Sequence, residues 1–239
     1  MYKIWTVTRR ELSSYFDSPI AYIVIVSFLL VAGWMFFSMV FLVGRADLRG
    51  FFQPSLFSPA LLLLILAPAI TMRLLAEERK QGTLELLTSL PISDAQVILG
   101  KFFAALLLTA IALAGTAVYA ITIAFIGPLD VGPVLAGYLG MLLYSAALLS
   151  IGLMCSTLTD NQIVSFIVAF LISAALYYAY WLQFFFPQSL AALVDFLSVS
   201  AHLSNMARGV IDSRDVVYYL SLTAGALFVA QRALARQHA

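Results

Sequence analysis

Residues 56–101 read LFSPALLLLILAPAITMRLLAEERKQGTLELLTSLPISDAQVILGK. The run before Arg73 carries no charge, and a second apolar run begins after Lys101. Between them stand two acids and two bases at Glu77–Lys80, a glycine at Gly82, and a leucine-rich piece closed by Pro91. How this polar segment is read depends on what solvates the apolar runs around it.

The chain is 63% hydrophobic and 10% charged, with a mean hydropathy of +1.00. A soluble domain carries about 25% charged residues, so charge this sparse cannot cover a water-facing surface. Lipid must do so. Charge-free gaps run from Asp17 to Arg45, Arg49 to Arg73, Lys101 to Asp130, Asp130 to Asp160 and Asn161 to Val194. Each exceeds the roughly 20 residues a helix needs to cross a bilayer. A shorter gap, Asp215 to Arg232, can span if Arg232 snorkels and Asp215 sits at the headgroups. The expected fold is an all-α membrane protein with six spans, near Ile20–Val43, Leu56–Met72, Phe102–Ile126, Pro133–Leu158, Ile163–Phe186 and Val216–Gln231. The alternating ten-residue segments of a β-barrel are absent.

Lysine and arginine set the orientation. With the N-terminus inside, Lys3, Arg9, Arg10, Arg73, Arg79, Lys80, Lys101, Arg232 and Arg236 face the cytoplasm, and only Arg45, Arg49, Arg208 and Arg214 lie outside. That asymmetry follows the positive-inside rule and, with an even number of spans, puts both termini on the cytoplasmic side of the inner membrane. The first apolar run is too long for a cleavable signal. Glu11 and Asp17 argue against a twin-arginine signal at Arg9-Arg10. Residues 1–18 instead suit an interfacial helix, with Ile4, Trp5, Leu12, Tyr15 and Phe16 on one face. Ser18-Pro19 caps and opens the first span.

Several chemistries are excluded by what the chain lacks. No expected span has an ionisable residue near its centre, which disfavours a secondary transporter. The only histidines, His202 and His238, lie outside the spans, so neither a metal site nor an intramembrane protease is supported. Gly100-Lys101 lacks the upstream glycines of a phosphate loop. No basic face suggests nucleic acid. Cys155, the single cysteine, has no intrachain disulfide partner. Tyr177, Tyr178, Tyr180, Trp181, Phe184, Phe185 and Phe186 read as an interfacial belt or as part of a substrate path. Ser165, Ala169 and Ser173 form a small-residue row, as do Ala136 and Gly140; each suits helix packing or a dimer seam.

The opening segment then becomes legible. The second span can continue as helix through Glu77–Lys80, and Gly82 suits its C-cap. Thr83–Leu90 is long enough for about two turns, Pro91 stops it, and Ser93 with Gln96 starts the next helix. The result is a short cytoplasmic helix held between two span ends.

Glu78-Arg79-x-x-Gly82-Thr83-x-Glu85-x-Leu87-x-x-x-Pro91-Ile92, followed by Gly100-Lys101, resembles the signature of ABC-2 type transporter permeases. The resemblance extends over residues 1–239 as one transmembrane domain, with the interfacial helix at 1–18, a coupling segment at 77–93 and an extracytoplasmic segment at 187–215. Ala207–Asp215 resembles the gliding-motility-associated and nitrous-oxide-locus-like branch. What the resemblance implies is a permease subunit, no enzyme itself, with no catalytic, cofactor or metal residues. ATP and Mg would be bound by a partner ATP-binding subunit, and a second copy or related permease would complete a dimeric exporter. Glu78, Arg79, Gly82, Thr83, Leu84, Glu85, Leu87, Leu90 and Pro91 would couple it to the ATPase. An alternative is a non-transporting subunit that passes ATPase motion to envelope machinery.

The outer connection, Pro187–Asp215, is expected to be ordered. Leu190, Leu193, Val194 and Leu197 recur at helical spacing, as for a helix on the outer leaflet. Ser200–Arg208 should carry the chain back over the spans, Gly209 should end a helix, and Asp212 or Ser213 should cap the last span. His202, Arg208, Asp212 and Arg214 are the residues expected to form an external lid or a surface for an extracytoplasmic or membrane-anchored accessory protein.

Overall fold

The computed structural model describes residues 2–43, 48–55, 58–82, 92–182 and 187–236, and every regular element among them is a helix. Helix α1 (Tyr2–Asp17) turns at Ser18, whose hydroxyl accepts from the Ile20 amide at 3.4 Å. Pro19 then opens α2 (Pro19–Val43), as the sequence predicts. There follow α3 (Arg49–Phe52), α4 (Pro59–Thr71), α5 (Ala76–Lys80), α6 (Asp94–Gly115) and α7 (Ala117–Ile126). The remainder are α8 (Val131–Leu158), α9 (Gln162–Leu182), α10 (Gln188–Leu197), α11 (Val199–Ala207) and α12 (Ser213–Ala235).

Five stretches are long and apolar enough to cross a membrane: Pro19–Phe41, Pro59–Lys80, Asp94–Ile126, Val131–Leu158 and Gln162–Trp181. They coincide with the first five expected spans. The third differs in length. Its 33 residues would reach about 50 Å as continuous helix, well beyond the hydrocarbon thickness. The surplus, Asp94–Lys101, lies before the expected start at Phe102. Helix α12 has 23 residues but carries Arg214, Asp215 and Arg232, and is not among the five.

Helix α8 is the hub. It packs against α4, α6, α9, α11 and α12, and 72% of its apolar window is buried, against 22% for α2 and 28% for α9. Small residues make this possible, because membrane helices associate by close packing rather than by the hydrophobic effect. A Cβ on Gly137 would meet the Phe52 ring at 2.3 Å, and one on Gly140 would meet Met206 at 2.9 Å. On α9 the buried positions Ser165, Ala169, Ser173 and Tyr177 form a seam every fourth residue, so the small-residue row read from sequence faces the bundle. The Tyr144 hydroxyl of α8 donates to the Ala60 carbonyl at 3.1 Å.

The 187–215 connection holds helices, but its second half does not pass over the bundle. Helix α11 sinks into it: Val199, Leu203, Met206 and Ala207 are buried against α8, α9 and α12. One-sided apolar spacing drives this burial, and hydroxyls make it tolerable. Ser198 caps α11 by accepting from the Ala201 amide, and Ser200 donates to the Tyr177 carbonyl at 2.6 Å. Gly209, at φ +92, ends α11 as expected. The Gly209 amide bonds the Met206 carbonyl and the Val210 amide bonds the Asn205 carbonyl, a Schellman pattern. Asp212 caps α12 by accepting from the Arg214 amide at 2.9 Å.

The tightest contact on the hub is at Gly152, where a Cβ would lie 2.0 Å from Thr71 Oγ1. Gly152→Ala is expected to destabilise the bundle by about 1–3 kcal/mol through overpacking. Thr71→Ala in the same chain should recover part of that loss. Thermal unfolding of the two single variants and the double variant in one detergent measures the coupling.

Candidate functional site

Helix α4 does not run straight into α5. Residues 72–75 form a turn, and the hydroxyl of Ser156 on α8 satisfies it. That oxygen accepts from the amides of Leu75 and Ala76, each at 3.1 Å, and donates to the Met72 carbonyl at 3.2 Å. One buried serine thus pins the junction between the second span and the stalk that leaves it. Helix α5 ends at Gly82, whose φ of +69 is the left-handed conformation a helix C-cap favours. At the far side of the segment Gln96 Oε1 accepts from the Ser93 amide at 3.3 Å, the expected start of α6.

Charge grips the stalk on two sides. On one side Lys101 of α6 is 1% exposed, and its Nζ donates to Glu78 Oε1 at 2.7 Å. The same ammonium lies 3.3 Å from Glu11 Oε1 of α1, and Arg10 bonds Glu11 at 2.8 Å. On the other side the Arg79 guanidinium donates to the Thr157 carbonyl in the last turn of α8 at 2.6 Å and to Asp160 Oδ1 just past it at 2.8 Å. Three elements therefore meet at Lys101, and a fourth holds the opposite face of α5. Gly100 makes the meeting possible: a Cβ there would sit 2.5 Å from Val7 Cγ1 of α1. The Thr8 hydroxyl also reaches the Gly100 carbonyl at 3.2 Å. The buried face of α1 is thus Val7 and Thr8, while Trp5 points away at 59% exposed.

Of the expected coupling residues, Glu78, Arg79 and Gly82 are brought together at this stalk. Thr83, Leu84, Glu85, Leu87, Leu90 and Pro91 lie outside the described residues. Sequence reasoning missed Glu11, Lys101, Ser156 and Asp160 as members of the site. Lys101 could have been found: it is a lone cation inside the start of an apolar helix, a position that demands a carboxylate. Ser156 left no such signal.

At the opposite end His202 is turned inward. Its Nδ1 lies 2.6 Å from Asp215 Oδ1, its Nε2 lies 3.0 Å from the Phe196 carbonyl, and the Tyr218 ring stacks on it at 4.0 Å. Tyr218 and Tyr219 bond the Leu197 and Val199 carbonyls, each at 2.6 Å, so α12 fastens both outer helices. Arg208, Asp212 and Arg214 are exposed.

Apolar helices long enough to cross a bilayer, with a charged stalk leaving one end, define a multi-pass membrane protein. Residues 14–209 match the family described as ABC-2 family transporter protein, and the chain belongs to it. It is thus a permease subunit of an ABC transporter, a membrane component of a family whose members generally work with an ABC ATP-binding subunit. No curated protein matches the chain.

Two predictions concern the Lys101 cluster. Lys101→Met leaves two carboxylates facing each other out of water, which should cost about 3–5 kcal/mol. Adding Glu11→Gln and Glu78→Gln should restore most of it in thermal unfolding. The second follows from Glu11. Burial raises its pKa, but the ammonium of Lys101 and the guanidinium of Arg10 outweigh that and hold it below the ordinary value. A depressed folded pKa means that the contribution is complete above the usual glutamate value of about 4.3 and is lost as pH falls through the lower folded value. A nitroxide at the exposed Ser13 should therefore be as ordered at about pH 5 as at neutrality, and loosen only at more acid pH.

Proposed function

We propose that this chain is the permease of an ATP-driven exporter, working as a dimer with separate ATP-binding subunits that hold ATP and Mg. The observation that carries the proposal is the stalk, gripped on one side by Lys101, which Glu11 of α1 also holds, and on the other by Asp160. A segment meant only to join two spans needs no such anchoring. A segment that must receive force does, because a push on residues 83–91 is transmitted only if both ends are stiff. Closure of the ATP-binding subunits would move this segment, and α5 would pass the motion to α1, α6 and α8 together. A pathway between protomers would then switch between two states.

In this reading the stalk faces the cytoplasm, both termini lie on that side of the inner membrane, and α12 is the sixth span. Lysine and arginine asymmetry supports the orientation. Export rests on the family resemblance alone, and the gliding-motility-associated or nitrous-oxide-locus-like branch on the resemblance of Ala207–Asp215. Arg208, Asp212 and Arg214 would form the outer surface offered to an accessory protein, and His202 would brace it from beneath.

Glu85→Lys is expected to leave unfolding of the bundle unchanged while the ATP-binding subunit is no longer recovered with the chain under mild detergent. A rim charge alone changes affinity modestly, but a short helix with few anchors can lose docking altogether. Recovery and reconstituted transport at wild-type levels would remove Glu85 from the coupling site.

A further inference from the structure

Beneath the Lys101 cluster lies a cavity of about 480 Å³, walled by α1, the start of α2 and the α4–α5 junction. Its two halves differ chemically. Ile23, Val24 and Ile70 line one, and Ile23 is 63% exposed on the outward side of α2, so this half opens where the acyl chains lie. Arg73, Glu77 and Gln81 line the other. Such a boundary between chains and charge is the depth of a phospholipid headgroup.

The charges define the occupant. Glu11, Glu78, Lys101 and Arg10 balance one another. That leaves Glu77 and Arg73 as the uncompensated lining charges, one of each sign and one helical turn apart. Arg73 has no carboxylate partner among the described residues. Among the described residues the Glu77 carboxylate accepts from the Gln81 side-chain amide alone, at 3.3 Å, which leaves the Gln81 carbonyl as a further acceptor. A second observation points to a ligand: the Tyr15 hydroxyl is buried at the cavity wall with no hydrogen-bond partner. A buried hydroxyl normally finds one.

We infer that this cavity binds a zwitterionic phospholipid with a primary ammonium, of the phosphatidylethanolamine class. Its phosphate lies against Arg73, its ammonium donates to Glu77 and Gln81, and Tyr15 donates to a phosphate or ester oxygen. A trimethylammonium head has no N–H to donate and is held by aromatic cages; Tyr15 is the one aromatic among the described lining residues. A purely anionic head would leave Glu77 opposed. The bound lipid ties α2 to the α4–α5 junction. The site stands independently of any ATP-binding partner.

The test is lipid retention. The full chain is equilibrated in detergent with equal amounts of phosphatidylethanolamine, phosphatidylcholine and phosphatidylglycerol, and retained lipid is read by native mass spectrometry. Phosphatidylethanolamine should be enriched about tenfold over phosphatidylcholine, the difference one charge-assisted hydrogen bond makes. Glu77→Gln, outside the buried cluster, should abolish the preference, whereas Arg73→Gln and Tyr15→Phe should lower the total lipid retained, because they meet the phosphate that all three lipids share. Thermal unfolding confirms that the variants remain folded. Equal retention of the three lipids, preference for phosphatidylglycerol, a preference unchanged in Glu77→Gln, or total retention unchanged in Arg73→Gln overturns the inference. Soluble phosphoethanolamine should not displace the lipid; displacement would show a headgroup site without a lipid chain and overturn it equally.

Discussion

The ammonium of Lys101 is withdrawn from water at a helix start, and a lone buried cation there would cost several kcal/mol. Glu78 and Glu11 come to it from different parts of the chain, and their arrival fixes where α1 and α5 lie. Without that pair of carboxylates, α1 would lose its charged anchor on α6 and keep only its packing there, such as Val7 on Gly100 and the Thr8 hydrogen bond, and the stalk would be held on one side alone. Burial makes the grip selective. Neither partner can be exchanged for water without leaving charge stranded, so the three helices move as one piece or not at all.

The same economy governs the middle of the bundle. Lipid offers no hydrophobic drive between helices, so α8 gathers its neighbours through shape and hydrogen bonds. Gly137, Gly140 and Gly152 each leave room for a side chain from another element, and Tyr144 ties α8 to α4. Ser156 extends this to the break after α4, where backbone amides would otherwise be orphaned. The hub and the stalk are therefore one mechanical unit, joined by a hydroxyl at one point and by Arg79 at another. At the far end the tyrosines of α12 do for α10 and α11 what Ser156 does for α5.

Much of this was legible in the sequence because it depends on local chemistry or on solvation. Charge-free gaps located the five apolar helices, since a bilayer sets their minimum length. Ser18-Pro19, Gly82, Ser93 with Gln96, Gly209 and Asp212 marked helix ends because a cap is made by residues a few positions apart. The motif around Glu78 and Gly82 pointed to the family. Helix α11 was read too shallowly: its serines suggested a polar return, but Ser198 and Ser200 spend their hydroxyls on neighbours and the apolar face sinks.

The sequence by itself determined which five segments are long and apolar enough to cross a membrane, where most helices begin and end, and that a polar segment links the second and third apolar runs. Only the tertiary structure decided that Lys101 serves Glu78 and Glu11 at once, that Ser156 closes the α4–α5 break, and that His202 meets Asp215. Each of these joins residues from separate helices. Periodicity and capping report what a residue does within its own helix. The cost of burying a charge or an amide is settled by whichever distant group the packing brings within hydrogen-bond reach.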